Sequence, residues 1–574
     1  MDAVLIMIAV FIGYIAAYNL YGKFIGSKIF KLTNDNITPA KEFEDGMDYV
    51  PTKRGVIFGH HFTSIAGTGP IVGPAIGVIW GWVPALIWIF LGSIIMGAVH
   101  DFGALVLSLR NQGKSISDIA GKYINRRTQT VFFIIVFLEL LILVAIFGMI
   151  IAIIFHMFPQ SVLPVWCEIP IAIALGYAIY KKGVGVVKAT VIAVFLMYVT
   201  VVMGHYLPYD MPAMWGLPAT GVWSFFLFIY AFIASTLAVT TLLQPRDYIN
   251  AWQLFIAMGL IVFGAIASGF TGELHIVAPA IQATPQGAPS MWPFLFITIA
   301  CGAISGFHAV VSSGTSAKQV AREEDALAVG YGSMITEGFL ASLVIVATAA
   351  GIGMAYQVKD GALLTGTAAW THHYASWAAS AGLGSKVSAF VIGAANMIAS
   401  VGVPREIAIV IMGVFVASFA GTSLDTATRL QRYIVQEIGI RIHAKGITGK
   451  YIATLIAVIS AMIVAYSTGA DGKGALKLWP LFGAVNQTLA ALALIVMTIY
   501  LKKKGGIKYM FTLLPALFMI IMTVWALFIN QGNYLKADNM MLTSINAIVI
   551  VIAIIVAFEG FRALLFGGEA AADA

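Results

Sequence analysis

The segment Gly59-His-His-Phe-Thr-Ser-Ile-Ala-Gly-Thr-Gly-Pro-Ile-Val-Gly-Pro74 lies within an apolar stretch, 56–82, that is long enough to cross a bilayer. It contains four glycines, two prolines and two adjacent histidines. Pro70 and Pro74 lack a backbone N–H, and Gly67 and Gly69 loosen the chain beside them, so the helix is predicted to unwind at 66–70. The released backbone groups cannot face lipid. The break is therefore expected to lie against protein or a wet cavity, where it can bind a ligand.

The composition of the chain is that of a polytopic membrane protein. Its 574 residues are 60% hydrophobic and 10% charged, whereas a soluble protein carries about 25% charged residues. About sixteen apolar segments have the length of a span. The first, 4–20, has no basic residues before it and no small-residue cleavage pattern after it, so it is interpreted as a retained helix.

The basic residues report topology and give no indication of nucleic-acid binding. Lys and Arg account for the net charge of +7, and they concentrate in short loops such as 23–54 and 110–127. Basic loops stay in the cytoplasm, which places the N-terminus outside and the C-terminus inside. Cys167 and Cys301 lie far apart in apolar sequence, so two free thiols are expected.

A second segment resembles the first. His61 precedes Gly67-Thr68 by the same spacing as His308 precedes Gly314-Thr315, and the charge pattern orients the two helices in opposite directions, as an inverted repeat requires. The alternative is coincidence, because Gly, Ser and Thr are common in all helical bundles. Further on, the stretch 386–428 is too long for one crossing, so a re-entrant or broken element is predicted near 402–406.

Six motifs together resemble the carbon starvation protein A family, in order, from the first helix to about residue 500. They are His60-His-Phe-Thr-Ser-Ile-Ala-Gly-Thr-Gly-Pro-Ile-Val-Gly-Pro74, Gly97-Ala-Val-His-Asp-Phe102, Leu243-Gln-Pro-Arg-Asp-Tyr248, Ile304-Ser-Gly-Phe-His-Ala-Val-Val-Ser-Ser-Gly-Thr315, Thr422-Ser-Leu-Asp-Thr-Ala-Thr-Arg429 and Trp479-Pro-Leu-Phe-Gly-Ala-Val-Asn-Gln487. The resemblance implies a secondary transporter of the plasma membrane that takes up peptides or, in some members, pyruvate, driven by protons.

The resemblance also implies an all-α fold with an inverted-repeat core and broken helices, as in the amino acid-polyamine-organocation superfamily, which is leucine-transporter-like. Under that fold the second broken helix is expected at 225–243, with its break at 234–236. The predicted organisation is a peripheral N-terminal part, 1–54, a transport core, 55–428, with repeats at 55–206 and 220–428, and C-terminal helices, 447–566, packed on the core.

The predicted substrate site follows the polar residues at the helix breaks, because the N-terminus of a half-helix attracts a carboxylate. Its members are His60, His61, Thr63, Ser64, Gly67, Thr68, Gly69, Ser235, Thr236, His308, Ser312, Ser313 and Thr315. The two adjacent histidines point about 100° apart on a helix, so one can face the cavity while the other packs. For these histidines the alternative is a structural hydrogen bond to a neighbouring carbonyl.

Ionisable residues within spans are the predicted proton or ion carriers, because a charge there needs a partner or a proton. They are His61, Asp101, Glu139 and Glu337, together with Thr422, Ser423 and Asp425, whose oxygens suit a cation or a proton. A fixed pair with His100 or Arg110 is the alternative for Asp101, and a capped helix start is the alternative for 422–428. Arg246 and Asp247 are interpreted as a gate, and Asn486 and Gln487 as interhelical hydrogen-bonding residues.

Three functions compete at this stage. The first is a proton-coupled importer of short peptides, with pyruvate or another small carboxylate as the alternative cargo. The second is an intramembrane metalloenzyme using His60, His61, His100 and His308, but the chain lacks a His-Glu-x-x-His motif. The third is a channel, which broken helices and buried acids disfavour. A non-enzymatic transporter without a cofactor or resident metal is the prediction.

Overall fold

The computed structural model describes residues 2–358, 361–380 and 382–566, and helices make up most of this part of the chain. Within the described residues, twelve helices are long and apolar enough to cross a membrane, or thirteen if a bent pair counts as one span. The predicted sixteen was an overstatement, because the apolar helices at 384–399 and 450–466 are shorter than a full span. The chain is a multi-pass membrane protein.

The helices used below are numbered in chain order. The first ten are α1 (Asp2–Ile29), α2 (Arg54–Ala66), α3 (Gly69–Gly77), α4 (Trp82–Leu109), α5 (Ile116–Tyr123), α6 (Arg126–Met157), α7 (Val162–Tyr180), α8 (Val186–Tyr206), α9 (Ala219–Thr236) and α10 (Leu243–Thr271). The next ten are α11 (Met291–Thr298), α12 (Gly306–Gly314), α13 (Leu327–Gly353), α14 (Gly366–Tyr374), α15 (Leu383–Ala399), α16 (Arg405–Arg441), α17 (Lys450–Tyr466), α18 (Trp479–Lys503), α19 (Met510–Lys536) and α20 (Met540–Phe566). Two antiparallel strands of two residues each, β1 (Tyr356–Gln357) and β2 (Leu363–Leu364), precede α14.

The predicted first break is confirmed. Helices α2 and α3 meet at Gly67 and Thr68 with a bend of 44°. Gly67 has φ +35°, a region that favours glycine, and a Cβ there would lie 2.5 Å from Ser423 Oγ. Pro70 falls in the first turn of α3, where its missing N–H is tolerated. The sequence therefore places both the interruption and the restart of this helix.

The second break lies elsewhere than the family fold suggested. Helices α11 and α12 are separated by the non-helical residues 299–305, with Gly302 at φ +91°. A Cβ on Gly69 would come within 2.5 Å of Cys301 Sγ, so the two breaks touch. The predicted break at 234–236 is wrong, because Ser235 and Thr236 are the last residues of α9 and the six residues 237–242 lead into α10, a separate span.

The region 402–406 is a turn between two helices. Helix α15 ends at Ala399 and α16 begins at Arg405, with Gly402 at φ +88° between them, and the two helices pack together. No re-entrant element is needed here. The residues 422–428 lie in the middle of α16, so their interpretation as a capped helix start is also wrong.

The centre of the bundle contains α6, α16 and α18. The long helices α6 and α16 pack against each other along their length, and nearly all of α18 between Leu481 and Leu501 is buried. Helices α1 and α8 expose many apolar side chains, as expected for helices that face lipid. Both breaks are thus enclosed by protein on most sides.

Candidate functional site

A cavity of about 490 Å³ ends at the two helix breaks, and we call it the break cavity. Its lining reaches from the loop 287–289 to Gly69 on the first break and Cys301 on the second. Aromatic side chains form much of the remaining wall: Trp377, Trp479, Phe482 and Tyr534. A mostly apolar cavity that ends at exposed backbone is typical of a small-molecule site.

Four buried residues next to the second break form what we call the histidine–acid cluster: His100, Asp101, His308 and Glu337. Asp101 accepts hydrogen bonds of 2.8 Å from Nδ1 of both histidines. Nε2 of His308 lies 3.4 Å from Oε2 of Glu337. The predicted neighbour Arg110 instead pairs with Glu323. Asp101, His308 and Glu337 thus form a continuous file of groups that can hold a proton.

The file ends on the backbone of the second break. The N–H of Gly302 donates a hydrogen bond of 2.9 Å to Oε1 of Glu337. On the other side of the break, Asn486 Oδ1 accepts from Ser305 Oγ at 3.1 Å and from the N–H of Phe307 at 2.9 Å. Gln487 donates to the carbonyl of Phe296, so the interhelical role predicted for both amides is confirmed. The shape of the break therefore depends on an acid that can change its charge.

Cys301, His308 and Glu337 are also the residues whose geometry comes nearest to a metal site in the described chain. Their ligand atoms all lie within 4.8 Å of one another. His308 Nε2 lies 3.4 Å from Glu337 Oε2, and neither atom has a hydrogen-bond partner in the described chain. His308 Nδ1 already donates to Asp101, and Glu337 already accepts from Gly302. His308 Nε2 and Glu337 Oε2 are therefore the atoms of the trio that remain available to a proton or a ligand.

A second buried group, which we call the arginine cluster, contains Arg246, Asp425, Tyr230 and Glu168. Nη1 of Arg246 donates to Asp425 Oδ2 at 2.6 Å and to the Tyr230 oxygen at 2.5 Å, and the Tyr230 hydroxyl donates to the same carboxylate. Glu168 Oε2 lies 3.8 Å from Arg246 Nε. Gly421 allows this close packing, because a Cβ there would collide with the guanidinium. The cluster joins α7, α9, α10 and α16.

Asp247, the neighbour of Arg246, fixes the first histidine of the pair. His60 donates from Nδ1 to Asp247 at 2.6 Å, and Gln319 donates to its Nε2 at 3.0 Å. His61 uses only Nδ1, in a 2.7 Å hydrogen bond with Ser316, while its buried Nε2 has no partner in the described chain. His60 is thus the packed histidine, with both ring nitrogens hydrogen-bonded, whereas Nε2 of His61 has no hydrogen-bond partner in the described chain. Arg246 and Asp247 are both fully buried in the first turn of α10.

Hydroxyl groups surround the first break. Thr422 donates to the carbonyl of Thr63 at 3.2 Å, and Ser64 donates to Asp247 at 3.1 Å. The hydroxyls of Thr68 and Ser423 are buried without a hydrogen-bond partner among the described residues. Gly67, Thr68 and Ser423 therefore combine open backbone with unsatisfied donors, the conditions for a polar ligand or an ordered water.

Several predicted residues lie outside both clusters. Ser235 and Thr236 donate to carbonyls of their own helix. Ser313 accepts from the N–H of Ile116 and so positions the start of α5, and Thr315 donates to Val311. The hydroxyl of Ser312 is buried, with no hydrogen bond to the described residues.

Glu139 is a buried acid on α6 that stands apart from both clusters in its bonding. Neither of its carboxylate oxygens has a hydrogen-bond partner within the described ranges. A charged carboxylate is unfavourable in such a position, so a neutral, protonated form is favoured. Glu139 remains a predicted proton carrier. Among the described residues, no hydrogen bond connects its carboxyl group to either break.

A third set of charges surrounds Asp48 in the loop before α2, and we call it the face seal. Asp48 accepts from Arg429 at 2.8 Å and from Tyr433 at 2.6 Å, with Arg432 at 3.4 Å. Burial alone would raise the pKa of the Asp48 carboxyl, but Arg429 and Arg432 lower it below its ordinary value. The seal ties the loop before α2 to α16.

Sequence reasoning missed some of these residues, and one had a usable signal. Glu168 lies in an apolar helix, as Glu139 does, and the same rule for intramembrane acids would have found it. Tyr230, Gln319 and Cys301 have no such signal, because their roles depend on partners distant in sequence. Asp48 lies in a polar loop where an acid is ordinary.

Comparison with known proteins gives a consistent result over almost the whole chain. Residues 2–526 match the family model described as Carbon starvation protein CstA. The chain is 34% identical to the Peptide transporter CstA of Campylobacter jejuni, over 91% of this chain and 80% of that protein. It is 32% identical to the Pyruvate/proton symporter BtsT of Escherichia coli, over 92% and 81% respectively. A Peptide transporter CstA of Bacillus subtilis is 31% identical, over 94% and 92%.

Solved structures with a similar arrangement include MhsT in complex with L-phenylalanine, with a TM-score of 0.47 and 12% identity over 89% of this chain and 99% of that one. A manganese transporter of Eremococcus coleocola has a TM-score of 0.45 and 12% identity, over 90% and 99%.

Proposed function

This chain belongs to the carbon starvation protein CstA family, and from that premise we propose that it is a secondary active transporter that imports short peptides in symport with protons. One observation carries the proposal: the two helix breaks touch at the end of the break cavity, and Gly302 in the second break is hydrogen-bonded to Glu337 of the histidine–acid cluster. Cargo site and proton site are therefore neighbours, as coupled transport requires.

The cargo binds through its carboxylate at the breaks. Helix α3 begins at Gly69 and α12 begins at Gly306, and the first turn of each carries partial positive charge. The unpartnered hydroxyls of Thr68 and Ser423 offer further donors beside Gly67. A carboxylate would satisfy these donors without any buried basic side chain at the same point.

Coupling follows from the charge of Glu337. When ionised, Glu337 is a strong acceptor for the Gly302 N–H, and it lies beside His308. When Glu337 takes up a proton, that hydrogen bond weakens and the second break can change shape. Asp101 orients His308 so that Nε2 faces Glu337, and an imidazolium at His308 can pass its Nε2 proton to the carboxylate, which leaves a neutral imidazole whose Nδ1–H still donates to Asp101. Protonation and cargo binding thus act on the same backbone.

Short peptides are the first choice of cargo because of the size and lining of the break cavity. A volume of about 490 Å³ with several aromatic side chains accommodates the side chains of a di- or tripeptide. Pyruvate is the second candidate, favoured by the 32% identical relative named Pyruvate/proton symporter. Both cargoes carry the carboxylate that the breaks would bind.

The proposed setting is the bacterial plasma membrane, under carbon starvation, with the N-terminus outside and the C-terminus in the cytoplasm. Support comes from the basic loops, including 23–54, which face the cytoplasm in this orientation. The face seal then closes the cytoplasmic side, and Arg246 and Asp247 act as a second, deeper gate. Asp425 and Glu139 are further sites where a proton can reside.

The test is uptake into proteoliposomes that contain the purified protein. Labelled tripeptide and labelled pyruvate are supplied outside, with the outside made either acidic or equal in pH to the inside. We expect the acidic condition to accumulate tripeptide, a protonophore to abolish the accumulation, and an excess of unlabelled pyruvate to leave it unchanged. Accumulation of pyruvate alone would favour the second cargo. Uptake of either cargo that ignores the pH gradient would contradict proton coupling.

A further inference from the structure

A large cavity on the face with the basic loops is unrelated to the break cavity. It has a volume of about 820 Å³ and lies between the segment that follows α1, the end of α4 and the turn from α18 to α19. Four cationic side chains line it: Lys31, Arg110, Lys504 and Lys508. We call it the lysine cavity.

The cations of the lysine cavity are incompletely neutralised. Arg110 is occupied, since it donates to Glu323 and to the Tyr500 hydroxyl. Lys31, Lys504 and Lys508 form no salt bridge with any described residue. Two acids, Asp35 and Glu42, also line the cavity, but both are exposed, and Asp35 accepts from Thr33. The four cations exceed the two lining acids.

Two of the lysines, Lys31 and Lys508, lie next to each other. Desolvation and the adjacent Lys31 ammonium both lower the pKa of Lys508. Lys504 lies 5.5 Å from the ring centre of Tyr500, which directs it along the same wall. Lys31 and Gln112, which also line the cavity, both have positive φ, of +51° and +62°. Such backbone strain in a non-glycine residue persists where the surrounding structure requires it.

We propose that the lysine cavity binds a phosphate-bearing anion, with Lys31, Lys504 and Lys508 donating to phosphate oxygens. Lysine ammonium groups bind phosphate as point charges, and three of them line this cavity, Lys31 and Lys504 exposed and Lys508 partly exposed, against two exposed acids. The volume lies within the range of sites that enclose a whole small ligand. The phosphate can belong to a soluble cytoplasmic compound or to the headgroup of an anionic lipid.

Binding at this cavity would act on the transport core through α4. Its end, Leu109, and the following Arg110 are part of the wall, and the same helix carries Asp101 of the histidine–acid cluster. An anion would hold the end of α4 against the turn between α18 and α19. The site therefore offers a point from which transport can be regulated.

The experiment measures binding of pyrophosphate to the purified full-length protein in neutral detergent, by calorimetric titration. The variant is Lys504→Gln with Lys508→Gln, and the matched control is Lys181→Gln with Lys182→Gln, two lysines in the turn after α7 that do not line the cavity. We expect wild type and control to bind alike and the cavity variant to bind about tenfold to a hundredfold more weakly, since each lost charged hydrogen bond weakens binding.

A second arm distinguishes the source of the phosphate. Thermal stability is compared in nanodiscs of phosphatidylcholine and in nanodiscs that also contain phosphatidylglycerol. If pyrophosphate does not bind but phosphatidylglycerol stabilises wild type and control more than the cavity variant, the occupant is a lipid headgroup and the proposal stands. The proposal is overturned if neither probe distinguishes the cavity variant from the control, including the case in which pyrophosphate binds all three proteins equally.

Discussion

The histidine–acid cluster and the arginine cluster are equally buried, but they balance charge in different ways. In the first, two carboxyl groups face two imidazoles, and every member can be neutral or charged. In the second, the guanidinium of Arg246 is permanently charged and lies between Asp425 and Glu168. A buried cluster without a permanent charge can exchange protons at every member, whereas one built on a single arginine must keep at least one of its acids charged. On this comparison we propose that the first cluster couples cargo to protons and that the second stabilises the bundle.

The largest expected effect is on stability, from Arg246→Met in the arginine cluster. The substitution leaves Asp425 and Glu168 without their cation, and removal of one partner of a buried ion pair costs about 3–5 kcal/mol. We expect a large fall in the melting temperature in detergent. Arg322→Met is the control, because Arg322 is mostly exposed in its pair with Asp325. Equal melting temperatures for the two variants would remove the structural role of the cluster.

The next effect is on transport, from Glu337→Gln in the histidine–acid cluster. The amide keeps an acceptor for the Gly302 N–H but cannot carry a proton, so accumulation driven by a pH gradient should fall about tenfold to a hundredfold. Exchange of cargo without a gradient should continue, and the melting temperature should change little. Glu273→Gln, in the exposed loop after α10, is the matched control. Wild-type accumulation by the Glu337→Gln variant would contradict the proposal that this cluster carries the coupling proton.

A smaller effect is expected from His61→Ala, because His61 belongs to neither of the two clusters. His61 has an unpartnered Nε2 in the described structure and bonds only to Ser316, so its loss should reduce the initial rate of uptake by about fivefold, the worth of one hydrogen bond. Ser316→Ala removes the partner and leaves the imidazole. If both variants lose the same activity, His61 acts only through Ser316, as a positioning residue.

The smallest effect is the pH dependence of the stability that the face seal contributes. Its acid, Asp48, is partly exposed, so it can be compared with the fully buried acids of the two clusters. The pKa of Asp48 is lowered in the folded protein, so its stabilising contribution is present above the ordinary pKa of aspartate and is lost as pH falls through the lowered value. Wild type should therefore melt at a higher temperature than Asp48→Asn at neutral pH. The difference should narrow below about pH 4. A constant difference across pH would show that the charge of Asp48 is unimportant.

Prediction from sequence succeeded where the cause is local. Gly67, Gly69 and Pro70 determine the first break through their own backbone properties, and the structure places it within the predicted residues. The match between the His61 and His308 segments did not place the second break, which lies at 299–305, before His308, and not at the matched Gly314-Thr315. The family-based alternative at 234–236 failed because short polar residues at a helix end look the same in sequence as those at a break.

The contents of the two clusters could not be predicted in the same way. Asp101 and His308 are 207 residues apart, and Arg246 and Asp425 are 179 apart, so only the packing of the helices brings them together. Sequence identified Asp101, Glu139 and Glu337 as acids that need partners, by the high energy of a charge in lipid, and Asp425 as part of an oxygen-rich segment suited to a cation or a proton. It could not say which partner each acid has, and that choice separates a proton carrier from a fixed ion pair.

The single hydrogen bond between Gly302 and Glu337 also has an electrical consequence. If coupling runs through this one acid, as proposed, each cycle carries one proton with one cargo molecule. If the cargo is the pyruvate anion, the positive and negative charges cancel, and membrane voltage contributes nothing to accumulation. If it is a zwitterionic peptide, one positive charge crosses per cycle, and voltage drives uptake together with the proton. The current through a supported membrane is therefore measured on addition of each cargo. A current with the peptide and none with pyruvate is the result expected from these charges.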